Sequence, residues 1–144
     1  MDVTGLFVYG TLRAGGSNHA WLWRTRPQGA APAWTPGRLF HLPEAGYPAM
    51  VCGPAPTALP PAPGWVRGEY VGYEDAQALQ GALEDLDVLE DVAGGLFIRY
   101  VRPVLLDRGP ILAAWVYTFP EERLEVLNKD NIEIMSGDWS PHLC

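Results

Sequence analysis

The run Leu6-Phe7-Val8-Tyr9 is apolar at every position and stops abruptly at Gly10. A short strand that is apolar on both faces suits the centre of a sheet. The loop that follows, Gly10 to His19, carries three glycines, the hydroxyls of Thr11 and Ser17, the amide of Asn18 and an imidazole, before Ala20-Trp21-Leu22-Trp23 turns apolar again. This is the pattern of a strand, a glycine-rich turn and a helix start. Glycine lets a backbone take positive φ and lets a ligand come close. N–H groups outside helical bonding can point at a carboxylate or an oxyanion. Two readings stand here: a seat for a small anionic or carbonyl-bearing ligand just after the first strand, or a plain connecting turn.

The rest of the chain supplies strands around one long helix. Ser17 to Trp23 reads as one or two helical turns, with Ser17 or Asn18 as cap, ended by Pro27-Gln28-Gly29. Ala33 to Leu42 and Tyr47 to Cys52 read as strands joined by the turn Pro43-Glu44-Ala45-Gly46. Gly53 to Gly64 holds prolines at 54, 56, 60, 61 and 63, a density that no core element tolerates, so it is a stiff surface loop. Trp65 to Tyr73 is a strand in which Gly68 permits close backbone approach. A helix starts at Glu74-Asp75, runs to Glu90 or Val92 and is closed by Gly94-Gly95. Leu96–Leu106 and Ile111–Phe119 read as a hairpin around Asp107-Arg108-Gly109-Pro110. Pro120 opens a short helix through Leu127, and Ser136-Gly137-Asp138-Trp139 is a turn with an aromatic anchor. The expected fold is α+β: one domain over residues 1–144, with a small mixed or antiparallel barrel-like sheet, one long helix and a few short ones.

Length and charge narrow the partners. A chain of 144 residues that is 48% apolar, with 6 Trp, 6 Tyr and 4 Phe, can build a single core and line a pocket. A net charge of -7 with only 10 Lys and Arg disfavours nucleic acid as the main partner. No segment approaches the ~20 apolar residues that span a bilayer. Two cysteines, no basic leader and no disulfide pattern point to a cytoplasmic protein. Oligomeric state is not legible.

The long helix carries one acid out of place. At about 100° per residue, Leu79, Leu83, Leu86 and Glu90 fall within roughly 60° of one another. Glu84, Asp85 and Asp91 lie on the other side and Asp87 at the flank. A carboxylate on the apolar stripe is dehydrated, its pKa rises, and it can carry a proton near neutral pH. The competing reading is a terminal Glu that reaches water or pairs with Arg99 or Arg102.

Taken together, these stretches resemble the gamma-glutamylcyclotransferase-like family. The resemblance rests on Phe7-Val8-Tyr9-Gly10-Thr11-Leu12-Arg13 with Gly16-Ser17-Asn18-His19, on Gly46-Tyr47-Pro48-Ala49, on Val66-Arg67-Gly68-Glu69-Tyr70 and on Leu86-Asp87-Val88-Leu89-Glu90. Tyr100-Val101-Arg102 and Ser136-Gly137-Asp138-Trp139 complete it, in the family's order and over nearly the whole chain. It implies a compact barrel-like α+β fold and a cofactor-free, metal-free cyclisation of a small gamma-glutamyl substrate to 5-oxoproline. It implies that Tyr9, Gly10, Thr11 and Leu12 hold the gamma-glutamyl group and that Glu90 is the acid and base. Asp91 departs from the pattern, since Gly is common after the Glu. The alternative is a non-catalytic protein that keeps the same pocket for an acidic metabolite; the presence of Glu90 favours the enzyme.

Other features read as structure. The spacing Gly10 to Ser17 mimics a phosphate loop, but Gly16 stands where the lysine should be. His19 is expected to hydrogen-bond at a helix start, Cys52 to be a small core residue, and Tyr117 to belong to a strand core or to wall the pocket.

Overall fold

The computed structural model describes residues 3–42, 46–54, 56–120, 122–123 and 132–139. In chain order its elements are β1 (Gly5–Val8), α1 (His19–Trp23), β2 (Gly29–Leu42), β3 (Tyr47–Cys52), β4 (Trp65–Gly72), α2 (Ala76–Leu89), β5 (Ile98–Leu106), β6 (Ile111–Thr118) and β7 (Ile132–Glu133). β1 lies between β4, antiparallel with Phe7 opposite Tyr70, and β6, parallel with Phe7 opposite Val116. β2 flanks β4 and β5 flanks β6. β2 meets β5 through Ala33–Leu106 and Trp34–Leu105, so the sheet closes as a mixed barrel in the order β2-β4-β1-β6-β5. The central position expected for the first strand is therefore observed, and so is the α+β class.

β2 begins at Gly29, four residues before the expected Ala33, because pairing with β4 holds Gly29-Ala30-Ala31-Pro32 extended. Its register changes partner at Pro36-Gly37: up to Pro36 it pairs with β4, and from Gly37 onward with β3. A Cβ on Gly37 would stand 2.7 Å from Met50 Cε and 2.8 Å from the Val51 carbonyl oxygen. The proline-glycine pair thus makes the corner at which the strand leaves the barrel. β7 adds to the far side of β2, with Phe40 opposite Glu133.

The strand period of two divides the core. Phe7 and Tyr9 face the barrel interior with Ala33, Val66, Val104 and Val116. Leu6 and Val8 face outward, where α2 covers them with Leu79, Leu83 and Leu86. Tyr9 and Leu12 are both buried, so the chain enters the glycine-rich loop with its direction fixed from both faces.

α2 has defined ends. Asp75 is extended and its carboxylate accepts the Ala78 N–H at 2.8 Å, a side-chain cap. At the other end Asp91 has φ 52, in the left-handed region. The Asp91 N–H donates to the Val88 carbonyl at 3.2 Å and the Val92 N–H to the Asp87 carbonyl at 3.0 Å. This pair of bonds is the Schellman arrangement, in which glycine is the favoured residue at the left-handed position. The departure noted at Asp91 thus falls on a backbone conformation that an L side chain strains to adopt. Asp91→Gly is expected to raise stability by about 0.5–1 kcal/mol, a few degrees in melting temperature. A melt at or below that of the parent protein would contradict this account.

Within the helix expected over 120–127, Glu122 and Arg123 are helical and Pro120 is not, while residues 121 and 124–127 lie outside the described residues. α1 is shorter than expected and starts at His19. Among the described residues no helix is long and apolar enough to cross a membrane.

Candidate active site

Tyr9, Gly10, Thr11, Leu12 and Glu90 line one cavity of about 80 Å³, together with Tyr47 and Tyr117. The structure brings the five anticipated residues together. One comes from the end of α2, the others from the loop after β1, some eighty residues earlier in the chain.

The loop is a turn folded back on itself. The Arg13 N–H donates to the Gly10 carbonyl at 3.0 Å, the Gly16 N–H to that of Arg13 at 2.8 Å and the Asn18 N–H to that of Thr11 at 2.8 Å. Gly16 packs so closely on the Thr11 backbone that a Cβ there would overlap its carbonyl. Asn18, the residue before α1, makes no side-chain cap; its Nδ2 donates instead to Thr11 Oγ1 at 3.0 Å. His19 Nδ1 donates to the Leu12 carbonyl at 2.9 Å, the structural role expected of it. Among the described residues, the N–H groups of Gly10, Thr11 and Leu12 donate to no protein acceptor. Gly10 and Leu12 are buried, Thr11 is half-buried and all three line the cavity; buried N–H groups are normally paired, so these donors favour a ligand oxygen there.

Sequence-distant motifs clamp this turn. A Cβ on Gly10 would stand 2.7 Å from Pro48 Cγ, so the Gly46-Tyr47-Pro48-Ala49 stretch presses directly on it. The Ala14 N–H donates to Glu69 Oε1 at 3.2 Å. Arg13 pairs with Asp138 at 3.0 Å, and Trp139 next to it is buried in the barrel core. Of the motifs that carried the family resemblance, all but Tyr100-Val101-Arg102 thus meet at this turn or its cavity.

Glu90 is the last residue of the α2 stripe and its C-cap. Burial among apolar groups pushes its carboxyl up to about 7. Neither arginine considered for it is its partner. Arg99 Nε and Nη2 fork onto the Asp87 carboxylate at 2.9 and 3.2 Å, and Arg102 Nη2 donates to the Gly53 carbonyl at 2.8 Å. The reason is geometric: β5 runs past the Asp87 flank of α2, and the stripe carrying Glu90 turns toward the pocket. Among the described residues the Glu90 carboxylate has no ion-pair partner. A carboxyl that is desolvated and unpaired, opposite unpaired N–H donors, can exchange protons near neutral pH beside a group that develops negative charge.

Three phenols surround Glu90, and its charge adds to burial in raising the pKa of Tyr9, Tyr47 and Tyr117. The Tyr9 hydroxyl donates to the Tyr117 carbonyl at 2.7 Å, and the Tyr117 hydroxyl to Asp87 Oδ1 at 2.7 Å. Tyr117 is therefore both strand core and pocket wall. Tyr47 was not anticipated as a site residue; its signal was its place in Gly46-Tyr47-Pro48-Ala49. Cys52 is exposed, against expectation, because it is the last residue of β3 and lies beyond the buried run Pro48–Val51. Among the described residues no cluster of three or more His, Cys, Asp and Glu side chains could hold a metal ion.

Comparison with known proteins shows the family of this chain. The family model described as "Gamma-glutamyl cyclotransferase, AIG2-like" matches residues 6–141. A Vibrio cholerae protein provisionally named a gamma-glutamylcyclotransferase is 33% identical over 135 residues, covering 93% of each chain. Among solved structures, an AIG2-like protein from mouse is 26% identical with a TM-score of 0.56, over 87% of this chain and 84% of that one. YkqA of Bacillus subtilis is also 26% identical, TM-score 0.58, over 96% of this chain but only 40% of its own length. An uncharacterized Pyrococcus horikoshii protein shares the fold at 18% identity, TM-score 0.60, over 96% of this chain and 91% of that one. With the family match running from β1 to beyond the last described turn, the chain belongs to the AIG2-like gamma-glutamyl cyclotransferase family.

Proposed function

We propose that the protein cyclises a gamma-glutamyl amine or peptide to 5-oxoproline and releases the free amine. One observation carries the reading: Glu90, partly desolvated and without an ion-pair partner among the described residues, shares a small cavity with N–H groups of Gly10, Thr11 and Leu12 that donate to no described acceptor. The substrate's α-amine attacks its own γ-carbonyl. The nucleophile is already tethered, so the protein has mainly to hold the bent conformer. Glu90 as carboxylate takes the amine proton as the new C–N bond forms. The carbonyl oxygen becomes an oxyanion, and the loop amides supply its hydrogen bonds. Glu90, now the acid, gives the proton to the leaving nitrogen as the old C–N bond breaks. Five-membered lactam and free amine leave, and Glu90 is ready for the next cycle.

Incubation with a panel of gamma-glutamyl amines and peptides, reading free 5-oxoproline, tests this. At least one member is expected to turn over. Saturable binding of the panel without any 5-oxoproline would show instead a protein that holds gamma-glutamyl compounds without cyclising them.

A further inference from the structure

The protons of two phenols that line the pocket, Tyr9 and Tyr117, have definite places, and those places constrain the ligand. Asp87 sits one helical turn before Glu90 and is held by two bonds from Arg99, whose guanidinium stacks over Trp115 at 4.5 Å. A carboxylate held in this way has only acceptors to offer. The Tyr117 hydroxyl, 2.7 Å from Asp87 Oδ1, must therefore be the donor. Having spent its one proton, that oxygen can face the cavity only with lone pairs. Tyr9 is committed in the same sense, to the Tyr117 carbonyl. The Tyr117 oxygen beside Glu90 thus accepts hydrogen bonds, and the N–H groups of Gly10, Thr11 and Leu12, which line the same cavity, donate them.

We infer that Asp87 is a positioning residue that, by taking the Tyr117 proton, makes this pocket select ligands presenting an N–H beside Glu90 over isosteres presenting a lone pair there. This rests on the cyclotransferase reading for the ligand's identity, and it extends that reading. In 5-oxoproline the ring N–H meets the accepting wall. The γ-lactone analogue, with ring oxygen in place of N–H, sets lone pair against lone pair. Such a mismatch in a desolvated site costs about tenfold or more in affinity. Asp87 Oδ1 accepts from both the Tyr117 hydroxyl and Arg99 Nε, so Asp87→Ala removes the acceptor and releases the phenol proton to other partners.

The test is calorimetric titration of 5-oxo-L-proline and its γ-lactone analogue into the parent protein, Asp87→Ala and Tyr117→Phe. The parent is expected to prefer the lactam by about tenfold or more. Asp87→Ala is expected to narrow or invert that ratio, with lactone affinity equal or improved. Tyr117→Phe is expected to narrow it by weakening the lactam alone. A merely structural role for Asp87 would weaken both ligands together and leave the ratio unchanged, which would overturn the inference. If Asp87→Ala fails to fold by circular dichroism, Tyr117→Phe decides: an unchanged ratio overturns it. Equal binding of both ligands by the parent overturns the role of Asp87 alone. A parent that binds neither ligand and cyclises nothing overturns the cyclotransferase reading with it.

Discussion

Glu90→Gln is expected to lower 5-oxoproline release by about a thousandfold or more while the protein stays folded. The amide is nearly isosteric with the carboxyl and fits the same space between α2 and the β1 loop. It can neither take the amine proton nor return one. Two pH signatures accompany the loss. In the parent protein kcat/KM should rise with pH through about 7, because the base form of Glu90 is populated there; residual activity in Glu90→Gln should lack that limb. The second signature is in stability. The folded-state pKa of about 7 lies above the ordinary 4.5, so between those values the native protein holds a proton that the unfolded chain has lost. The folded state is therefore favoured at low pH and loses stability as pH rises through that window, by up to about 3 kcal/mol. Glu90→Gln has no such loss and should gain on the parent from pH 5 to pH 8 in urea melts. Normal turnover by Glu90→Gln would sink the mechanism, and a flat stability difference would sink the claim that Glu90 is dehydrated.

Gly68→Ala is expected to be the most damaging of the conservative substitutions, for a reason outside the cavity. In β4 the Gly68 Cα faces β1 so closely that an added methyl would overlap the Val8 carbonyl and the Phe7 ring. Neither can yield easily: one is backbone in the central strand, the other a fully packed core ring. Forcing the pair apart opens the barrel one residue before Tyr9. A cost of about 3 kcal/mol and a fall of about 10 °C in melting temperature are expected. Gly29→Ala, on the neighbouring strand with open space around it, is the matched control and should change stability by less than about 0.5 kcal/mol. Equal melts for the two variants would show that the close approach does not limit packing. The effect on activity should follow the loss of folded protein, since Gly68 does not line the cavity.

These two residues also show how differently the features of this chain could be read from its sequence. Glu90 was legible because helical periodicity is local: three leucines set the phase of a stripe, and the fourth position on it is an acid. The strand, the turn and the donors of Gly10–Leu12 were legible for the same reason. Gly68 was legible only as a place of close approach; what approaches it depends on register, and β1 to β4 is a pairing across some sixty residues. Arg99 illustrates the other limit. Sequence nearness made it a candidate partner for Glu90. Its actual partner, Asp87, lies on the same helix only three residues earlier, and the choice follows from where β5 passes. The corner at Pro36-Gly37 was likewise visible as a breaker within a strand, but only β3 and β4 competing for that strand give it a direction.

By itself the sequence determined the class of fold, the first strand as its centre, the glycine-rich turn after it and the acid on the apolar face of the long helix. Each follows from patterns whose physical cause acts within a few residues: side-chain period, capping, and the φ that glycine tolerates. The tertiary structure alone decided which strands close the barrel, β2 onto β5, and that scattered motifs clamp one loop. It also decided that Arg99 pairs with Asp87, that Glu90 has no ion-pair partner among the described residues, and that the Tyr9 and Tyr117 protons go to the Tyr117 carbonyl and Asp87. Those outcomes depend on strand register and on which charged group reaches which partner first. Desolvation then sets their worth, because a carboxyl is pushed to about 7 only once the surrounding chain has excluded water from it.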